Sequence, residues 1–232
     1  MRHILLIVVA GITLFSCSKE KIDYNMYRPA PIRWDFNNLD GWANDSPTMA
    51  DNYAITDSIL EIYTRPNTYD RIKFRSNDQV YVQGKYTWRV FVPEMGVGDM
   101  SSIGCFLYSD DAHELDFEIG YGKDNVRKAL NATDDELVVY ITSQGNPHYQ
   151  LKTTIRRNQW YNLDIDLELK NGKYVATWHI NNNVVASSTL DYGPVETKFY
   201  VFVSVENLAF IGDHIPVQKN YGLFDYVEYQ YN

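Results

Sequence analysis

Glu114, Asp116 and Glu118 lie two residues apart in the run His113-Glu114-Leu115-Asp116-Phe117-Glu118-Ile119. In a β-strand the side chains at i, i+2 and i+4 share one face, so these three carboxyls stand in a row while Leu115, Phe117 and Ile119 point the other way. Like charges held side by side raise one another's pKa, an arrangement that gains no stability. Glycosidic-bond hydrolysis uses such a set: one ionised carboxylate attacks the anomeric carbon, and a protonated partner assists the leaving oxygen. A middle acid can hold a proton between them. Retaining hydrolysis wants the two outer carboxyls about 5–5.5 Å apart. Residues four apart along a strand are separated by roughly 13 Å, so the two long Glu side chains must lean toward each other, a reach that Asp lacks. Two other readings fit the same spacing. One is the solvated face of an amphipathic strand; the other is a metal site, although a linear row does not by itself converge on one ion.

The elements that must hold this row are strands. From Pro31 onward the chain is a succession of short alternating segments separated by turn residues, the pattern of a sandwich or barrel. Strands are predicted over Ser58 to Tyr63, Gln79 to Tyr81, Tyr86 to Val92, Ile103 to Tyr108, Glu114 to Ile119, Leu137 to Ile141, Tyr161 to Leu169, Tyr174 to Ile180, Phe199 to Val205 and Gly222 to Tyr231. No segment of helical period competes with them. Asn171-Gly172 is a hairpin turn signal, and Asn181-Asn182-Asn183 marks another turn. The expected fold is all-β, two packed antiparallel sheets in one domain over 31–232, a size that a single all-β unit routinely reaches.

Arg2 and His3 precede an apolar run from Ile4 to Phe15, too short to span a bilayer as a mature helix. Leu14-Phe15-Ser16-Cys17 follows and resembles a bacterial lipobox, with Cys17 as the lipidated first residue of the mature chain; a plain cleavable signal is the other reading. Residues 1–16 are thus expected to be a signal peptide and 17–30 a tether. Ser18 after the cysteine points to an outer-membrane lipoprotein, facing the periplasm or the cell surface, with membrane contact only through the anchor. Cys105 is the only other cysteine, so no internal disulfide is expected, and it reads as a small buried hydrophobe. The net charge of −9 lacks the basic footprint of a nucleic-acid binder.

The chain from about Asn52 to the C-terminus resembles glycoside hydrolase family 16, and within it the bacterial licheninases. Phe74-Arg75-Ser76, Gly84-Lys85-Tyr86, Val92-Pro93, Ser101-Ser102 and Phe106-Leu107-Tyr108 precede the row in the family's order. Glu114-Leu115-Asp116-Phe117-Glu118 matches its unbulged Glu-x-Asp-x-Glu motif, and Gly122-Lys123-Asp124 follows. The resemblance implies a curved, concanavalin A-like jelly roll with a cleft on its concave face, and retaining endo-cleavage of β-linkages in a polysaccharide. It implies Glu114 as nucleophile, Asp116 as assisting acid and Glu118 as general acid/base. Asn52 and Arg75 stand where such enzymes place polar sugar contacts. No organic cofactor is implied; a structural calcium is, with Asp225 as one ligand. A monomer acting on a polysaccharide or oligosaccharide is expected.

Two positions depart from the licheninases: Ala112 and Ala209 stand where those enzymes have tryptophans. Aromatic faces stack on sugar rings, so Trp34, Trp42, Tyr108, Tyr121, Tyr140 and Tyr149 become the candidate platforms, Tyr108 foremost. Trp88 and Trp178 are expected in the core. His113 should point to the core side, and His148 should lie in a loop with no assigned role. The substrate stays open among β-glucan, xyloglucan and galactan. A non-catalytic glycan-binding lipoprotein of the same fold is the rival reading.

Overall fold

The structure, a computed structural model, describes residues 23, 24 and 28–231. The signal segment and Cys17 lie outside the described residues, and among those described no helix is long and apolar enough to cross a membrane.

Among the described residues, fifteen strands and one short helix follow one another. The strands are β1 (Ile32–Trp34), β2 (Trp42–Asn44), β3 (Tyr53–Thr56), β4 (Ile59–Thr64), β5 (Arg71–Ser76), β6 (Gly84–Val92), β7 (Ser101–Asp110) and β8 (His113–Gly120). After the helix α1 (Asp124–Leu130) come β9 (Glu136–Ser143), β10 (Tyr149–Arg156), β11 (Gln159–Lys170), β12 (Lys173–Ile180), β13 (Asn183–Thr189), β14 (Tyr200–Asn207) and β15 (Asn220–Gln230). They form two antiparallel sheets packed as a jelly-roll β-sandwich. One sheet runs β13-β12-β11-β6-β15-β4-β3, with β1 also on β15; the other runs β10-β9-β8-β7-β14-β5-β2.

Period-two alternation explains most of this. In β6 and β12 buried and partly exposed residues alternate strictly, the signature of a strand with one face on the core. The inter-sheet core is rich in large side chains, among them Trp88, Trp178, Tyr86, Tyr174 and Phe117, all fully buried. Leu115, Phe117 and Ile119 are fully buried in the same core. Burial of each contributes about 1.5–3 kcal/mol, which fixes the register of β8 and with it the direction in which its carboxyls point. Cys105 is a free, fully buried thiol. Asn171 and Gly172 both have positive φ, 55° and 82°, as a two-residue type I′ hairpin requires. Asn181 and Asn182 make the next hairpin the same way, with φ of 49° and 65°.

The structure corrects several expectations. Gln79 to Tyr81 is no strand: Tyr81 makes a single bridge to Phe199, while the Gln79 side chain donates to the Ser109 and Lys198 carbonyls. The strands β1, β2, β3, β5, β10 and β13 were not predicted. Nor was α1, whose Asp124 lies in the first turn, Arg127 and Lys128 in the last, with Asn131 closing it in the left-handed region. Trp34 and Trp42 are not sugar platforms. Both are buried at 7% exposure and meet edge to face at 5.2 Å.

Candidate active site

The seven-stranded sheet carries the acidic row on the face turned away from the core, and cross-strand pairing lays out its neighbours as a grid. Glu118 stands opposite Gly104 on β7 and Tyr140 on β9. Beyond Gly104 come Ser204 on β14 and Lys73 on β5; beyond Tyr140 comes Lys152 on β10. Asp116 is flanked by Phe106 and Thr142, and Glu114 by Tyr108. Phe106 stacks on Phe202 of β14 at 4.6 Å and 10°. All of these except Gly104 and Ser204 line a cleft of about 670 Å³, and Glu114, Asp116 and Glu118 open into the same space.

The neighbours of the row explain how three acids are tolerated together. Gly104 makes room: a Cβ there would sit 3.0 Å from Glu118 Oε1 and 2.3 Å from Ser204 Oγ. The Ser102 hydroxyl donates to Glu118 Oε2. The Gln144 amide donates to Asp116 Oδ2 at 2.9 Å, while Asp116 Oδ1 is buried without a donor. A proton on Asp116 lets its carboxyl hydrogen-bond to that of Glu114.

Electrostatics order the three groups. Burial, followed by the charges of Glu114 and Glu118, drives the Asp116 carboxyl well above the usual range, so it stays protonated. Glu114 is pushed up by burial and held down by the hydrogen bond with Asp116 and by the charge of Lys73, reaching about 7. Glu118 goes higher, to about 8, through burial first and then the nearby charge of Glu206, against the Ser102 hydrogen bond. Near neutral pH the row therefore holds a neutral bridge at Asp116 between two carboxyls, Glu114 and Glu118, that keep protons well above the usual range. Such a trio can donate a proton at one end and attack at the other.

The sequence reading missed Glu206. This fourth carboxylate is buried in β14, lines the cleft and pairs with Arg71 Nε at 2.6 Å. It stands directly across from Ser102, two strands from Glu118. The alternation Phe202, Ser204, Glu206 carried the signal, since it continues the cleft-facing side of the strand one step beyond the predicted end.

Among the residues expected to bind sugar, Tyr108 lines the cleft; its hydroxyl donates to Asp111 at 2.9 Å. Arg75 is on β5 beside the cleft, committed to Asp45 at 3.2 Å, with its guanidinium 4.3 Å from the Tyr200 ring centre. Asn52 is a correction. It is buried outside the cleft lining, where it donates to Asp70 at 2.7 Å, and Arg65 holds that same carboxylate well below the usual range. Of the other aromatics, Tyr140 lines the cleft, Tyr121 is buried under the Arg127 guanidinium, and Tyr149 packs beside Trp178. His113 is partly buried, with Nδ1 2.7 Å from Asp110 and its ring edge-on to Tyr192. His148 is exposed, its Nδ1 3.1 Å from the Gln144 carbonyl. Ala112 occupies the β7 to β8 turn and Ala209 the loop after β14, both exposed.

Asp225 is the extra residue of a bulge where β15 pairs with β6. Among the described residues no group of three or more His, Cys, Asp or Glu side chains is arranged to hold a metal ion, around it or elsewhere. A calcium there would depend on backbone carbonyls for most of its six to eight oxygens, and no chemistry of the cleft is routed through it.

Solved structures share this architecture at low identity. The Bacillus licheniformis β-glucanase superposes with a TM-score of 0.63 at 14% identity, covering 88% of this chain and 99% of that one. A family 16 protein from a Bacteroides ovatus mixed-linkage glucan locus, in complex with a G4G4G3G product, gives 0.62 at 14% over 86% and 99%. LamA from Zobellia galactanivorans, in complex with laminaritriose and laminaritetraose, gives 0.63 at 12% over 86% and 98%. No family model and no curated protein matches the chain.

Proposed function

We propose that the chain is an endo-acting, retaining β-glycanase, anchored to the outer membrane through Cys17 and acting on a polysaccharide of the β-glucan or galactan class. The observation that carries this reading is the acidic row in the cleft, with Glu118 held by Ser102, Asp116 by Gln144, and all three carboxyls opening into one space whose burial raises their pKa. The shared fold with glucan-bound structures supports it. Glu118 delivers its proton to the glycosidic oxygen as a Glu114 oxygen attacks the anomeric carbon, and the C–O bond to the leaving sugar breaks. Glu118, now ionised, takes a proton from water, whose oxygen displaces Glu114 from the same carbon. Asp116 holds the Glu114 carboxyl in place and moves its own proton toward Glu114 as that group leaves. Tyr108 and the Phe106–Phe202 stack form the floor beside the reacting sugar.

A non-catalytic surface glycan-binding protein is the second reading, favoured by Ala112 and Ala209. Incubation with a panel of β-glucans, xyloglucan and galactans separates the two. The expected result is release of oligosaccharides whose new reducing ends first appear in the β-configuration, followed by NMR. Retardation on a glycan gel with no product from any polysaccharide would establish the binder instead.

Gly104 gives a second test. An alanine there presses on both Ser204 and the Glu118 carboxyl, and displacement of a reacting group by a fraction of an ångström to one ångström costs up to about a hundredfold in rate. Gly104→Ala is expected to lower kcat by about ten- to a hundredfold while glycan affinity, measured on gels, changes little. Wild-type kcat in a folded Gly104→Ala protein would remove Glu118 from the acid role.

A further inference from the structure

One end of the cleft is built differently from the rest. Tyr140, directly across from Glu118, is only 2% exposed, and two side chains from separate elements converge on its ring. Phe210, from the loop after β14, meets it edge to face at 5.5 Å. The Lys152 ammonium of β10 lies 5.4 Å from the ring centre. All three line the cleft.

Phe210 is 48% exposed, yet its loop is firmly held. Leu208 N donates to the Met100 carbonyl, Ile211 N to the Leu208 carbonyl and Asp213 N to the Gly98 carbonyl, at 2.8–3.0 Å. Ile211, the next residue, is fully buried against Val138 and Tyr140. The loop thus presents one flat apolar ring to the cleft at a fixed position, which suits the C–H face of a pyranose.

Lys152 differs from the guanidinium groups on this sheet face. Arg71 is paired with Glu206 and Arg75 with Asp45, whereas Lys152 donates to the neutral Gln150 amide. Among the described residues no carboxylate lies within ion-pair distance of it. Glu118, two strands away on its row, is protonated near neutral pH. An ammonium without a counter-charge, set against the Tyr140 ring inside a cleft, favours an anionic guest.

We propose that Phe210, Tyr140 and Lys152 form a subsite for a pyranose bearing an anionic group, the sugar face on Phe210 and the carboxylate or sulfate on Lys152. This subsite rests on the reading of the cleft as a polysaccharide site and narrows its substrate to acidic glycans.

The test uses the full chain and two matched pairs of polymers: a β-glucan before and after oxidation of its primary hydroxyls to carboxylates, and a sulfated galactan before and after desulfation. Affinity is read by gel retardation at low and high salt. The acidic member of at least one pair is expected to bind about tenfold tighter at low salt, an advantage that salt erodes; which pair shows it tells carboxylate from sulfate. Lys152→Gln is expected to abolish that preference, the acidic polymers falling to the affinity of their neutral partners. Phe210→Ala should weaken neutral and acidic members alike by about three- to tenfold, and Phe210→Tyr should restore them. A wild-type preference for the neutral polymers, or an acid preference that survives Lys152→Gln, overturns the subsite while cleavage of neutral glycans leaves the enzymatic reading standing. Absence of both binding and cleavage on every polymer overturns the two together.

Discussion

Glu114→Gln and Glu118→Gln are each expected to lower polysaccharide cleavage by at least about a thousandfold, with the melting temperature preserved or raised. The two losses should differ in kind. On an aryl β-glycoside whose leaving group needs no proton, Glu118→Gln should still accumulate the glycosyl-enzyme, because attack by Glu114 is untouched. Glu114→Gln should be inert on the same substrate. Small anions sharpen the distinction. In Glu114→Ala, azide can enter the space left on the attacking face and displace the activated leaving group directly, giving a glycosyl azide of inverted configuration. In Glu118→Ala, azide meets the covalent intermediate from the opposite face and gives the retained product. Mass spectrometry and NMR read both outcomes. Unchanged cleavage in either Gln variant would end the mechanism, and exchanged azide stereochemistry would exchange the two roles.

The part of this site written most openly in the chain is the strand β8. Leu115, Phe117 and Ile119 are fully buried, so only one register places the strand on the core, and that register turns Glu114, Asp116 and Glu118 outward together. Other parts were hidden for identifiable reasons. Alternation tells which face a residue is on but not how deeply that face is covered. In β9 and β14 nearly every residue is buried, as are the first seven of β7, on the cleft side as well as the core side, and Glu206 therefore sits in a run that looks like an ordinary strand end. Lys152 and Phe210 are brought to Tyr140 from β10 and a loop, about 60 residues apart in sequence, and nothing local links them. Trp34 and Trp42 misled because an aromatic in a short N-terminal segment reads as available, whereas they fill the core beside Tyr81 and Phe36. Asn52 sat at a plausible sugar-binding position, yet the buried Asp70 carboxylate claims its amide.

The acidic row also couples activity to stability through pH. Activity needs Glu114 ionised and Glu118 protonated, so the rate should rise as pH passes about 7 and fall beyond about 8, a narrow bell whose limbs belong to the coupled set. The folding equilibrium responds to the same groups. Unfolded glutamates titrate near 4.3, while in the cleft Glu114 and Glu118 hold their protons to about 7 and 8. Between these limits the native state binds more protons than the unfolded state, and the contribution of these groups to unfolding free energy must fall as pH rises through that window. Both side chains keep some exposure to the cleft, and a loss on the order of 1–3 kcal/mol by pH 8.5 is expected after allowance for solvent screening. Glu118→Gln removes a large share of it. Wild type and variant should melt together near pH 5, and the variant should melt a few degrees higher near pH 8.5, given about 2–4 °C per kcal/mol for a domain of this size. Comparing the two proteins at each pH cancels the titration of groups remote from Glu118, leaving Glu118 and the carboxyls that feel its charge. Parallel melting curves from pH 5 to 8.5 would mean that Glu118 is ionised in the native cleft at neutral pH, and a carboxylate already ionised cannot be the proton donor. The measurement needs no substrate, and so tests the acid assignment independently of whichever glycan occupies the cleft.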